Sequence, residues 1–220
     1  MYWVDIVLIA ILLTVGYVSV CCYLNGYEVK QLDLNFIRLT KNRVVYLLVG
    51  VVTISALVIC LNTTYSIDLI TRLSLLTLAL LILPVAAIDM RLQKIPNIYL
   101  VVGLAVRCIY LSIMYIRDIG NAWSITKDSL VGAVVIGLFF LFLLVVFKNS
   151  VGMGDVKLFA LMGFYQGLWG VINSVFFSLL VSFFISVGLL ITKKKGRKDS
   201  ISFGPSIYLG TIIAVCMAGM

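Results

Sequence analysis

Long apolar stretches broken by short polar interruptions organise this chain. Eight can be read, at approximately 4–24, 44–61, 69–88, 98–116, 129–147, 155–168, 171–191 and 203–219. Helices rising ~1.5 Å per residue cross a hydrocarbon core of about 30 Å in roughly 20 residues. The pattern therefore predicts an all-α fold, a polytopic membrane helical bundle of about eight transmembrane helices. The first stretch reads as a membrane anchor, because Asp5 stands where a signal peptide has basic residues and no small-residue cleavage site follows. Residues 1–220 read as a single membrane domain, with N-terminal helices and a linker in 1–68 and a core in 69–220.

The sixth and seventh stretches must be separated by a turn. From Asp155 to Ile191 the chain is apolar for 37 residues, which as one helix would run about 55 Å. Gly163, Gly167 and Gly170, with Gln166 among them, mark the expected place. Segment six then spans only roughly 21 Å, so Asp155 is expected to sit slightly below the membrane surface. Pro84 should kink segment three near Asp89, and Pro96 fits the first turn of segment four.

Composition agrees: 63% of the 220 residues are hydrophobic and 12% charged, with a mean hydropathy of +1.17. The net charge of +8 reads as membrane topology and not as affinity for nucleic acid. Lys and Arg number four in 25–43, two in 89–97, two in 148–157 and five in 192–200, so 13 of 17 fall on alternate loops. The positive-inside rule makes those loops cytoplasmic and puts both termini outside. The run Lys193-Lys194-Lys195-Gly196-Arg197-Lys198 either attracts anionic lipid or simply holds its loop inside. Arg72 lies near enough to a helix end to snorkel. Arg107 should face the protein interior or a wet cavity, and whether it binds substrate or a helix carbonyl stays open.

There is no histidine, which removes Ser-His and Cys-His catalysis and histidine metal sites. Cys21, Cys22, Cys60, Cys108 and Cys216 form no CxxC pair and read as small apolar residues, with no zinc site and no disulfide framework.

Two acids stand out because each joins an apolar segment to a cytoplasmic loop: Asp89, ending segment three, and Asp155, opening segment six. Two crossings separate them, so both emerge on one side of the bilayer. Two adjacent carboxyl groups do not both ionise cheaply, so one keeps a proton while the other can take a proton from water. Such a pair can hydrolyse a peptide bond without metal or organic cofactor. Gly152 and Gly154 would permit unusual backbone angles and close approach of an extended substrate. The simpler reading is that Asp155 caps the N-terminus of segment six, with the glycines merely forming the loop, and capping and catalysis are compatible.

Taken together, three blocks resemble the type IV prepilin peptidases, membrane aspartyl proteases of the GxGD type. They are Ile88-Asp89 through Ile95-Pro96-Asn97, then Gly152-Met153-Gly154-Asp155-Val156-Lys157-Leu158 with Gly163 and Gly167 after it, and Phe203-Gly204-Pro205 leading to Gly210. The resemblance covers about residues 80 to 212. It implies catalytic Asp89 and Asp155, supported by Gly152, Gly154, Lys157, Pro96, Asn97, Gly204 and Pro205. It also implies cleavage, at the cytoplasmic face of a prokaryotic membrane, of a short basic leader from prepilin-like substrates. Presenilin-like enzymes share Gly-x-Gly-Asp but carry a Pro-Ala-Leu motif absent here. Many bacterial relatives insert a domain with paired CxxC motifs between the first two spans. Residues 25–43 form a short cysteine-free linker instead, which puts N-methylation of the product in doubt. Ser202 replaces a frequent proline before Phe-Gly-Pro.

Two other functional classes remain on the residues alone. A small ion- or proton-coupled transporter would use Asp89, Asp155 and Arg107 as a path, although these acids sit at one edge and not at mid-membrane. A non-catalytic subunit of a pilus or secretion machine would tolerate loss of either acid. The sequence does not give the oligomeric state.

Overall fold

The computed structural model describes residues 41–63, 68–147, 152–192 and 202–218, together with Gly16. Apart from Gly16 the expected first segment, and with it residues 25–40 of the linker, Cys21, Cys22 and the basic run 193–198, lie outside the described residues. Among those described every regular element is a helix: α1 (Lys41–Thr63), α2 (Leu69–Leu92), α3 (Asn97–Arg117), α4 (Ile119–Val146), α5 (Met153–Ile191) and α6 (Gly204–Ala218). Four of them, α2 to α5, are long and apolar enough to cross a membrane, and shorter apolar helices cover Leu48–Leu61 and Gly204–Met217.

The helix ends follow local chemistry. Asp68 caps α2 by accepting the Ile70 amide hydrogen, and Gln93 ends it in the left-handed conformation with φ 50°. Pro96 lies just ahead of α3 in an extended conformation, one residue earlier than the first-turn position expected of it. Pro84 lies inside α2, which continues through it. Asp118 alone separates α3 from α4, and its Oδ1 accepts from the Gly120 and Asn121 amides. Helix α4 therefore begins ten residues before the sequence pattern suggested. The charges of Lys127 and Asp128 read as a loop, but they are used on a helix: Lys127 Nζ lies 4.9 Å from the Trp123 ring centre and Asp128 accepts the Leu168 amide hydrogen.

Helix α5 is interrupted at Gly167, whose φ of 70° and ψ of −175° are not helical. Positive φ there favours glycine. Phe159, before the break, packs its ring 5.9 Å from that of Phe203, while Ser178, after it, has its hydroxyl 3.5 Å from the Ile207 carbonyl. Phe203 and Ile207 are one turn apart, whereas 19 residues of straight helix would cover roughly 28 Å. The two limbs of α5 therefore lie side by side, reversing at the middle of the three glycines singled out in the sequence.

The break at Gly167 takes Leu168 out of reach of the Phe164 carbonyl, its normal helical acceptor. Both orphaned groups find charged partners. Leu168 N–H donates to Asp128 Oδ1 at 3.3 Å, and Arg107 Nε donates to Phe164 O at 3.0 Å. Arg107, only 2% exposed, also donates to Ser74 Oγ at 2.7 Å and Ser129 Oγ at 3.0 Å. It thus faces the interior, as expected, and binds a helix carbonyl. One guanidinium ties together α2, α3, α4 and α5, a use that suits its fixed fork of donors.

Helix α2 is the centre of the bundle and is packed by α1, α3, α5 and α6. Ser74, Leu76, Leu78, Ile82 and Ile88 on it are buried. Arg72 is buried too, contrary to the snorkelling expected of it, because α2 is covered at this level. The outward faces of α3, α4 and the second limb of α5 carry exposed large apolar side chains such as Val101, Leu138, Phe142 and Phe183, the surface a lipid-facing helix presents. In such surroundings packing and buried hydrogen bonds hold helices together. The Tyr165 hydroxyl bonded to Gly103 O at 2.7 Å and the Phe140–Phe159 stack with centroids 4.3 Å apart are examples.

Candidate active site

Four chain segments meet at one end of the bundle: the last turn of α2, the 93–96 connection, the first turn of α5 and the start of α6. Asp89 projects from the last turn of α2 and is 6% exposed. A buried carboxylate needs hydrogen-bond partners, and Gly204, at the start of α6, donates its amide hydrogen to Asp89 Oδ2 at 2.7 Å. The Phe203 amide also reaches this carboxylate. Asp89 thus occupies the N-terminus of a helix 115 residues away, where unpaired amides and the helix dipole favour negative charge. A Cβ on residue 204 would stand 2.9 Å from both Cβ and Oδ2 of Asp89 and 3.1 Å from the Ala86 Cα. Only glycine admits this approach.

Asp155 lies in the first turn of α5, close enough to Asp89 for the two charges to act on each other directly. Its Oδ2 accepts the Gly152 amide hydrogen at 3.2 Å, reaching back from the third helical position to the capping residue. This is half of a capping box, since glycine has no side chain to return the bond. The sequence suggested Asp155 as the capping residue; instead Gly152 holds the cap position and Asp155 stands in the first turn, its carboxylate reaching back to the Gly152 amide.

The two glycines act differently from the expectation. Gly152 has φ −77° and ψ 144°, an extended conformation open to any residue, and Gly154 is within the helix. What Gly154 supplies is room: a Cβ there would meet the Ile95 side chain at 2.9 Å. The first turn of α5 is thereby seated against the connection that follows Asp89. Nearby, Lys157 Nζ donates to Asn97 Oδ1 at 3.2 Å, joining the exposed starts of α5 and α3. Pro96 is buried beside Asn97, while Pro205 is partly exposed next to Gly204.

The residues singled out in the sequence thus come together at one end, with Asp89, Gly204 and Pro96 buried and Asp155 partly exposed. Sequence reasoning missed Phe159, and it named Ile95 only within a motif block, without a role. Phe159 is fully buried, and stacking on Phe140 and packing on Phe203 lock the Asp155 limb to the start of α6. Its spacing of one helical turn from Asp155 is the signal that could have found it. Ser206, 1% exposed, finds no hydrogen-bond partner for its hydroxyl among the described residues, two positions after Gly204.

Comparison with known proteins gives the family. Residues 74–191, which include both aspartates, match the model of the type IV leader peptidase family. The prepilin leader peptidase/N-methyltransferase of Bacillus subtilis (strain 168) is 28% identical over 134 residues, covering 61% of this chain and 51% of that protein. The chain spans about half the length of this curated relative. No solved structure gives a significant match. A match over more than half of the chain, spanning the helices that carry Asp89 and Asp155, places it: the chain belongs to the type IV leader peptidase family.

Proposed function

We propose that the protein is a membrane aspartic endopeptidase that removes the short basic leader of prepilin-like precursors, using Asp89 and Asp155 to activate water. The observation that carries this reading is the placement of the two carboxyl groups at one end of the bundle, near enough for their charges to act on each other, one of them held by the Gly204 amide, in a chain of this family. One carboxylate takes a proton from water as the oxygen attacks the scissile carbonyl. The other, protonated, donates to the carbonyl oxygen and then assists departure of the amine. The Gly204 amide fixes Asp89, so the pair is positioned before substrate arrives.

The alternate-loop distribution of Lys and Arg supports a site facing the cytoplasm of a prokaryotic membrane, with both termini outside. Residues 69–220 form the proposed catalytic core, with Pro96, Asn97, Gly152, Gly154, Lys157, Gly204 and Pro205 shaping the loops around the pair. Co-expression with a prepilin-like substrate tests the assignment. Wild type should yield the shortened product, and Asp89→Asn and Asp155→Asn should leave the precursor intact. Normal processing by either variant would overturn it.

A further inference from the structure

At the end of the bundle remote from the aspartates, α1 and α6 bring two cysteines together. Cys60 Sγ donates to the carbonyl oxygen of Cys216 at 3.2 Å, and the two thiols are also within hydrogen-bond reach of each other. The residues are 156 positions apart, and both are partly buried. Lower on the same seam the hydroxyls of Thr53 and Tyr208 bond to each other. Thr53 to Cys60 is two turns of α1, and Tyr208 to Cys216 is just over two turns of α6. These rises are about 10.5 and 12 Å, so the helices run in the same direction and in register. The thiol contact follows from that register. Cys216 lies twelve residues beyond Gly204, roughly 18 Å along α6 from the Asp89 contact. Cys108, on α3, is exposed and takes no part in this seam.

We infer that Cys60 and Cys216 form a reversible disulfide that fastens α1 to α6 at the end opposite the aspartates. Helix α1 has reason for such a tie. Its described side chains are buried only along the stripe Gly50, Ile54, Leu57 and Leu61, while Leu48, Val51, Val52 and Ile59 are exposed. The oxidant is an external disulfide. One protein thiolate attacks it, forming a mixed disulfide and expelling one thiol, and the second thiolate then attacks the protein-bound sulfur and expels the other. Two electrons and two protons pass from the cysteines to the external disulfide, which leaves as two thiols. Rotation of both side chains about χ1 must bring the sulfurs from contact to about 2.05 Å. The pairing does not depend on the proposed peptidase activity or on membrane orientation.

A variant keeping Cys60 and Cys216, with serine at 21, 22 and 108, tests this after purification in detergent and treatment with oxidised glutathione. Maleimide labelling and intact mass should show loss of both labelling sites and of two hydrogens, restored by dithiothreitol. The unfolding temperature should rise on oxidation, and Cys60→Ser should abolish that rise. Two maleimide adducts, two attached glutathiones or a disulfide-linked dimer would each overturn the inference. Peptide mapping of the oxidised wild-type chain gives a second readout, because a Cys60–Cys216 cross-linked peptide must be present.

Discussion

Gly204 donates its amide hydrogen to Asp89 Oδ2 at 2.7 Å, joining residues 115 positions apart at the centre of the candidate site. The contact requires a residue with no side chain, because a Cβ would stand 2.9 Å from the same carboxylate oxygen. Gly204→Ala should therefore displace Asp89 while leaving the helices intact. Leader cleavage should fall by at least about tenfold, and stability by about 1–3 kcal/mol, as in overpacked cores. Cleavage rate and detergent unfolding temperature, measured on the same preparation, check both parts.

Gly167→Ala should destabilise the fold through the backbone. The residue holds φ 70° and its missing Cβ would strike the Asp128 carboxylate. Left-handed backbone strain plus that collision should cost about 1–3 kcal/mol. Asp128→Asn keeps an oxygen acceptor for Leu168 N–H and should be milder than Asp128→Ala. Unfolding temperatures of the three variants provide the ranking.

Arg107→Lys should be nearly as damaging as Arg107→Met. A lysine ammonium is a compact point charge without the planar fork that meets Phe164 O, Ser74 Oγ and Ser129 Oγ together. Either change leaves buried groups unpaired, at about 1–3 kcal/mol for each one. Thermal unfolding in detergent is the check, and a lysine variant as stable as wild type would remove Arg107 from its role as the tie among four helices.

Lys157→Met breaks only an exposed bond to Asn97, so its unfolding temperature should match wild type to within about 0.5 kcal/mol of stability.

Apolar lengths alone indicated the helices, and the excess length of 155–191 together with its glycines confined the reversal to the stretch from Gly163 to Gly170, within which the structure selects Gly167. That Asp89 and Asp155 should share one end of the bundle was expected from counting crossings. The early start of α4 was hidden because charge reads as loop, whereas Lys127 and Asp128 are satisfied by Trp123 and by the α5 break. The exchange in which Arg107 and Asp128 take the two halves of one broken helical bond was also hidden, since it depends on three-dimensional placement of backbone groups that carry no residue-type signal. The same holds for the Gly204 amide: the Phe-Gly-Pro block resembled a family motif, but its contact with Asp89 needed the fold. The backbone freedom expected of Gly152 and Gly154 is not used, and the space at Gly154 is.

The central claim is that Asp89 and Asp155 act as one catalytic pair. Its most direct test is the cleavage rate of a purified prepilin-like substrate by wild type, Asp89→Asn and Asp155→Asn, with unfolding temperatures recorded in parallel. Each variant should lose at least about a hundredfold in rate, the scale of a missing general acid or base, while unfolding near the wild-type temperature. Wild-type cleavage by either folded variant would contradict the claim.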